Sequence, residues 1–246
     1  MAETPRFAHF MILLLVGAAF SMAFSIAAAL FGAVTRRRLL TGIASGVALA
    51  IAAGYACVLL GVGWMNGETV LARGQWKYFC EADCHIAYSI EEVKMEVSSD
   101  GVPVPQPLRS RRVAVRLKTW FDQNSIAKFR GNSPLTPEPR NVALVDRDGR
   151  SYLPLPGAES AAGARSTPMT EPLRPGESYL TSFVFEVPAD AGDLRLLVTD
   201  ANSATRLIID HENSPLHGKI LLGLTGTRAA GTMAKGADSG AGDGRP

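Results

Sequence analysis

Two long stretches without a charged residue, Phe10–Val34 and Leu39–Trp64, flank three consecutive arginines, Arg36, Arg37 and Arg38. A membrane helix needs roughly 20 apolar residues to cross the hydrocarbon core, and each stretch exceeds that. The spacing predicts a transmembrane helix hairpin over residues 10–64, preceded by a short polar lead, residues 1–9. Arginines and lysines in short loops stay cytoplasmic. The loop between the two runs is almost all arginine, whereas the N-terminal flank offers Arg6, and Arg73 and Lys77 beyond the second run are diluted by Glu68, Glu81 and Asp83. The loop is therefore expected inside and both chain ends outside. This makes the chain a multi-pass protein of the cell (inner) membrane with a periplasmic C-terminal domain. A cleaved signal peptide fits poorly, because the first run is too long, arginines follow it and its positive flank is weak.

Small residues recur every four positions on both runs: Gly42, Gly46, Ala50 and Gly54 on the second, Gly17, Ser21 and Ser25 on the first. This spacing lets helix backbones approach closely, although Gly and Ala are common in such helices anyway. Cys57, inside the second run, reads as an apolar filler.

Residues 65–79 read as a juxtamembrane linker. Trp64, Trp76 and Tyr78 suit the membrane–water interface. Beyond it the hydrophobic period changes to two, and residues 80–225 are expected to form an all-β sandwich. Ile86, Tyr88 and Ile90 alternate with polar neighbours, and Val93, Met95 and Val97 resume one residue out of phase, which predicts a bulge near Glu91–Glu92. Further alternations run through Val113–Leu117, Val142–Leu144, Tyr179–Val187, Leu194–Val198, Leu207–Ile209 and Ile220–Leu224. Asp146-Arg147-Asp148-Gly149 reads as a hairpin turn returning at Tyr152. Roughly eight strands separated by Gly, Pro, Asn and Asp clusters are the pattern of a sandwich. About 140 residues can bury a full core. Gly131–Pro139 and Pro154–Pro172 read as loops, and residues 226–246, poor in large apolar side chains, as a disordered tail.

The net charge of +2, with 20% of residues charged, argues against a nucleic-acid partner, since no basic face with interleaved aromatics accompanies it. Arg109–Arg112 is a local basic cluster that precedes a strand pattern and reads as a solvated edge. The expected partners are the lipid bilayer and a membrane or envelope protein.

Leu173-Arg174-Pro175-Gly176-Glu177-Ser178, followed by Phe183-Val184-Phe185-Glu186-Val187-Pro188, resembles a widespread bacterial family of unknown function. Its members carry an extracytoplasmic immunoglobulin-like sandwich, similar to the mycobacterial immunoprotective extracellular antigen. The resemblance covers the region after the hairpin. It implies a fold and a compartment, and brings no catalytic residues. The layout of two helices followed by a β-domain is also similar to cytochrome oxidase subunit II. That family binds copper through a Cys-x-x-x-Cys late in its β-domain. Here the same spacing precedes the strand that begins at Ile86.

Cys80 and Cys84, followed by His85, leave three readings open. Outside the cytoplasm, two thiols four residues apart tend to oxidise, so a Cys80–Cys84 disulfide is one. Thiolates and imidazoles also suit copper or zinc. His211 and His217 precede the last strand, and neighbouring parallel first and last strands would bring them towards Cys80, Cys84 and His85. Covalent haem normally uses Cys-x-x-Cys-His, and this chain has one residue too many. No Gly-x-Ser-x-Gly elbow or zincin motif is present, and Asp210-His211-Glu212 reads as a polar loop. The expectation is a non-enzymatic, membrane-anchored interaction domain without a resident cofactor, an accessory or assembly subunit of a membrane or envelope complex. A metal-handling or electron-transfer module is the alternative.

Overall fold

The computed structural model describes residues 8–79, 85–97, 110–126, 130–157 and 166–224. Two antiparallel helices, α1 (Ala8–Val34) and α2 (Arg38–Met65), form a hairpin. The turn between them closes on Arg36, held at φ 55°. Gly32 makes the tight return possible: a Cβ there would lie 2.8 Å from the Thr41 hydroxyl and 2.9 Å from the Thr41 nitrogen. Both helices are apolar over lengths that can cross a membrane. Their outward surfaces carry large apolar side chains, with Phe20 75% exposed and Phe24, Leu13 and Leu30 also exposed. A hairpin of this kind has no counterpart of water-facing polarity and needs an apolar surround.

The glycines of the small-residue stripes do not make the helix–helix contact; of the stripe on α1, Ser25 is buried. Gly17, Gly42, Gly46 and Gly54 have nothing within 4 Å of where a Cβ would stand. Among the described residues, the line on α2 that loses solvent runs instead through Ala44, Tyr55, Leu59 and Gly63, and on α1 through Ser25 and Gly32. The reason is rotational: residues 42, 46, 50 and 54 share one helix face, and that face points away from α1.

The hairpin leads into two facing sheets. One contains, in spatial order, β1 (Thr69–Leu71), β9 (Ile220–Gly223), β8 (Arg195–Asp200), β5 (Arg140–Val145) and β6 (Ser151–Tyr152). The other contains β2 (Lys77–Phe79), β3 (Ile86–Val97), β4 (Ser110–Phe121) and β7 (Ser178–Pro188). All pairings are antiparallel except β1 with β9, which run parallel with Thr69 opposite Ile220. Tyr88, Ile90, Val115, Leu117 and Phe185 from one sheet pack against Leu144, Leu196, Val198 and Leu222 from the other. Each such side chain contributes roughly 1.5–3 kcal/mol on burial. Phe183 packs at the margin of the same core, its ring 6.4 Å from that of Phe185, because side chains two apart on a strand share a face. The chain is thus a helical anchor followed by a β-sandwich.

The expected bulge is present: Ile90 pairs with Leu117 and Glu92 with the next residue, Arg116, leaving Glu91 extra. The turn at Asp146–Gly149 is also as expected, with Gly149 at φ 79°. The Asp146 carboxylate accepts from the nitrogens of Asp148 and Arg150 and from the Tyr152 hydroxyl.

Three expectations are corrected. Residues 65–79 are not merely a linker: they carry β1 and β2, so the sandwich begins at Thr69 rather than at residue 80. The strands are three residues each, too short for alternation to announce them, and they form because β9 and β3 offer open edges. Leu207 and Ile209 do not form a strand. Asn202 caps a 3-10 helix over Ser203–Leu207 by accepting from the Ala204 nitrogen, and turns follow. The strand starting at Ile86 therefore is not the parallel neighbour of the last strand; β1 is. The tail 226–246, part of the 154–172 loop, and both Cys80 and Cys84 lie outside the described residues.

Candidate functional site at the hairpin–sandwich junction

The segment from the 3-10 helix to β9 lies along the last turns of α2. The Tyr55 hydroxyl donates to the Leu207 carbonyl at 2.6 Å. The Asn66 amide donates to the Val62 carbonyl at 3.1 Å, capping the helix, and to Asp210 Oδ1 at 2.8 Å. Gly63 is buried where the segment crosses: a Cβ there would stand 2.3 Å from the Pro215 carbonyl oxygen. Gly218 approaches the Gly67 backbone as closely, and its nitrogen donates to the Asn66 carbonyl at 2.8 Å.

A cleft of about 270 Å³ opens here between Met11 and Ile12 of α1, the strand β2 and the loop carrying Ile208 to His217. Its floor is ionic. Lys77 is 1% exposed, and its ammonium donates to Glu212 Oε2 at 2.7 Å, the Val198 carbonyl at 2.6 Å and the Ile220 carbonyl at 2.8 Å. All three donors are used. Burial pushes the Lys77 pKa down, while the Glu212 carboxylate opposes that shift. A second buried pair, Arg140 with Asp200 at 3.5 Å, lies alongside. The Phe79 ring faces both cations, 5.0 Å from the Lys77 nitrogen and 4.2 Å from the Arg140 guanidinium carbon. Such contacts strengthen when desolvated.

The histidines fall into two places. His211 and His217 line the cleft and His85 does not. The His211 Nδ1 accepts from the Asn213 nitrogen at 3.0 Å, which requires that nitrogen unprotonated, and burial lowers its pKa. The His217 Nδ1 lies 2.6 Å from the Gly218 carbonyl, which only an N–H can satisfy, and its Nε2 lies 3.7 Å from Asp210. His85 stacks on Phe121 with ring centroids 5.6 Å apart, and its Nδ1 is 2.8 Å from the Ser125 hydroxyl. That hydroxyl donates to the Asp122 carbonyl, so it accepts from His85. Among the described residues, no three His, Cys, Asp or Glu side chains converge as metal ligands would. Cys80 and Cys84, expected as a disulfide or as ligands with His85, His211 and His217, lie outside the described residues.

Lys77, Glu212, Arg140, Asp200, Asn66 and Tyr55 were not anticipated as site residues. One signal was there: Lys77 and Phe79 are two apart in a strand, so a buried Phe79 puts Lys77 on the buried face.

No family model matches the chain, and no curated protein matches it. Three solved structures are similar. A conserved hypothetical protein from Bacillus anthracis is 16% identical, with a TM-score of 0.35, covering 52% of this chain and 88% of that one. The secreted protein MPT63 from Mycobacterium tuberculosis is 11% identical, with a TM-score of 0.36, covering 63% and 97%. An uncharacterized β-sandwich protein from Clostridium difficile is 8% identical, with a TM-score of 0.33, covering 65% and 96%. The sandwich stands on the chain's own two facing sheets.

Proposed function

We propose that the chain is a membrane-anchored, extracytoplasmic immunoglobulin-like interaction domain, an accessory or assembly subunit of a membrane or envelope complex. The observation that carries this reading is the junction. The loop 203–217 grips the end of α2 by Tyr55, Gly63 and Asn66, so the sandwich is held in a fixed pose on its anchor rather than on a free stalk. A fixed pose is what an assembly subunit needs, because it presents one surface at one height. The Lys77 ammonium in the cleft is saturated by two carbonyls and Glu212, which suits a structural tie. The arginine loop supports the orientation with residues 36–38 in the cytoplasm and the sandwich in the periplasm.

The test has two arms. A reporter active only in the periplasm, fused after Leu224, should be active, while one placed in the Arg36–Arg38 loop should be silent. In-membrane chemical cross-linking of the full chain, followed by mass spectrometry, should yield a distinct heterologous protein attached to the sandwich. Cytoplasmic activity of the Leu224 fusion, or a chain that cross-links to no other protein, overturns the reading.

A further inference from the structure

We infer that the segment 203–217 is itself a membrane-contacting element, which seats the sandwich in the outer leaflet with Leu207 and Leu216 in lipid. This rests on the reading of α1 and α2 as membrane-spanning.

The argument begins with depth. At 1.5 Å per residue, α2 is about 42 Å long, whereas the hydrocarbon core is about 30 Å thick. With its first residue, Arg38, held at the inner interface by its charge, the helix leaves the hydrocarbon after about 20 residues, near Val58. Tyr55 lies below that level, about 15 Å back along the axis from Met65. Yet Tyr55 donates to Leu207 at 2.6 Å. A helical side chain also points back towards its own N-terminus, which takes this contact deeper still. Leu207 is therefore carried to the upper edge of the hydrocarbon, and the loop rises from there to Asn66 at Asp210 and returns to the level of Gly63 at Pro215.

The exposed side chains agree with that placement. Leu207 is 55% and Leu216 65% exposed. Both are held against α2 by the chain around them, through the Leu207 carbonyl on Tyr55 and the Pro215 carbonyl at Gly63. Arg206 is exposed next to Leu207, where phosphates would meet a guanidinium. Leu216 is held at φ 64°, a conformation that residues with a Cβ rarely adopt, and its side chain is turned out rather than into the core.

The backbone supplies an independent observation. Irregular backbone at membrane depth must satisfy its own hydrogen bonds. This segment meets part of that demand in five successive turns, each closed by a bond to the residue three back: Thr205 donates to Asn202, Ile208 to Thr205, His211 to Ile208, Ser214 to His211 and His217 to Ser214. The Asn213 amide closes back onto the Asp200 carbonyl. The occupant of the exposed face is thus the acyl and glycerol region of the outer leaflet, as for an interfacial amphipathic segment.

The test uses the full chain in bilayers of its own membrane lipids. A benzophenone amino acid is introduced singly at Leu207, Leu216, Phe20 and Asp148. Phe20 reports on the mid-helix, and Asp148, in the turn after β5, on the far end of the sandwich. After irradiation, lipid adducts are expected at Phe20, Leu207 and Leu216 and should be absent at Asp148. Adducts at Phe20 without lipid adducts at Leu207 and Leu216 overturn the inference and leave the anchor standing. Protein adducts at Leu207 and Leu216 overturn it in favour of a protein-covered face. Absence of a lipid adduct at Phe20 overturns the membrane anchor and this inference with it.

Discussion

The Lys77 ammonium in β2 lies 2.7 Å from the Glu212 carboxylate, across the sandwich from its own sheet. The pair ties strand β2 to the loop that contacts the hairpin. Removing one buried partner strands the other charge, which costs about 3–5 kcal/mol. Lys77→Met should therefore lower stability by about that much in urea denaturation of the detergent-solubilised chain. The double variant Lys77→Met with Glu212→Leu should recover most of the loss. A double variant as unstable as the single one would show that Lys77 works through its two carbonyl partners instead.

Gly63 and Gly61 offer a paired comparison within one helix. Only at Gly63 would a Cβ meet anything, the Pro215 carbonyl at 2.3 Å; Gly61 has open space. Gly63→Ala should push the 203–217 loop away, costing about 1–3 kcal/mol and speeding proteolysis within the loop. Gly61→Ala should leave both unchanged. Equal behaviour of the two variants would detach the loop from α2.

His211 makes stability depend on pH. Its folded pKa is lowered, first by burial, with Lys219 and His217 adding to this and Glu212 and Asp200 opposing. Below the unfolded value, about 6.5, the unfolded chain takes up the proton before the folded one does. The contribution is thus complete above about pH 6.5 and is lost as pH falls through the folded pKa. Melting temperatures measured from pH 7.5 down to 5, values chosen to bracket the ordinary histidine range of about 6.5, should fall more steeply for the native chain than for His211→Gln. Parallel curves would assign the titration elsewhere.

The bulge at Glu91 predicts an asymmetry between two deletions. Ile86, Tyr88 and Ile90 face the core before it, and Val93 packs against the core after it. Deleting Glu91 makes the alternation continuous, so the fold should survive, with loss of the Arg73 bond to its carbonyl. Deleting Ser89 inverts Ile90 relative to its neighbours and should abolish cooperative melting. Circular dichroism melts of both variants decide.

Phe185 is fully buried, and Phe183 only partly. Phe185→Ala should cost about 3–5 kcal/mol and Phe183→Ala clearly less, measured by the same denaturation. The reverse order would overturn the register of β7 on β4.

The long strands, the bulge and the Asp146 turn were legible because each is written in local periodicity or turn chemistry. Phe10–Trp64 was legible as a hairpin from length alone. Which helix face is covered was not: Gly42, Gly46 and Gly54 had the right spacing, but rotation about the axis is set by packing, and Ala44 and Leu59 are the residues buried. β1 and β2 were missed because a three-residue strand exists only when a distant edge pairs with it. Leu207 and Ile209 alternate like a strand, but Asn202 caps a 3-10 turn there. The Lys77–Glu212 pair joins residues 135 positions apart in the chain, a relation no local window contains.

The parallel pairing of β1 with β9 sets how the domain bears load. β1 begins just after α2 and β9 ends just before the C-terminal tail, with Thr69 to Leu71 opposite Ile220 to Leu222. A pull between a partner gripping the tail and the helices rooted in lipid draws the two strands past each other lengthwise. Every hydrogen bond between them resists at once, instead of opening one after another. The anchor and the last strand are clasped in shear, so tension applied beyond β9 passes directly to the helices and bypasses the rest of the sandwich.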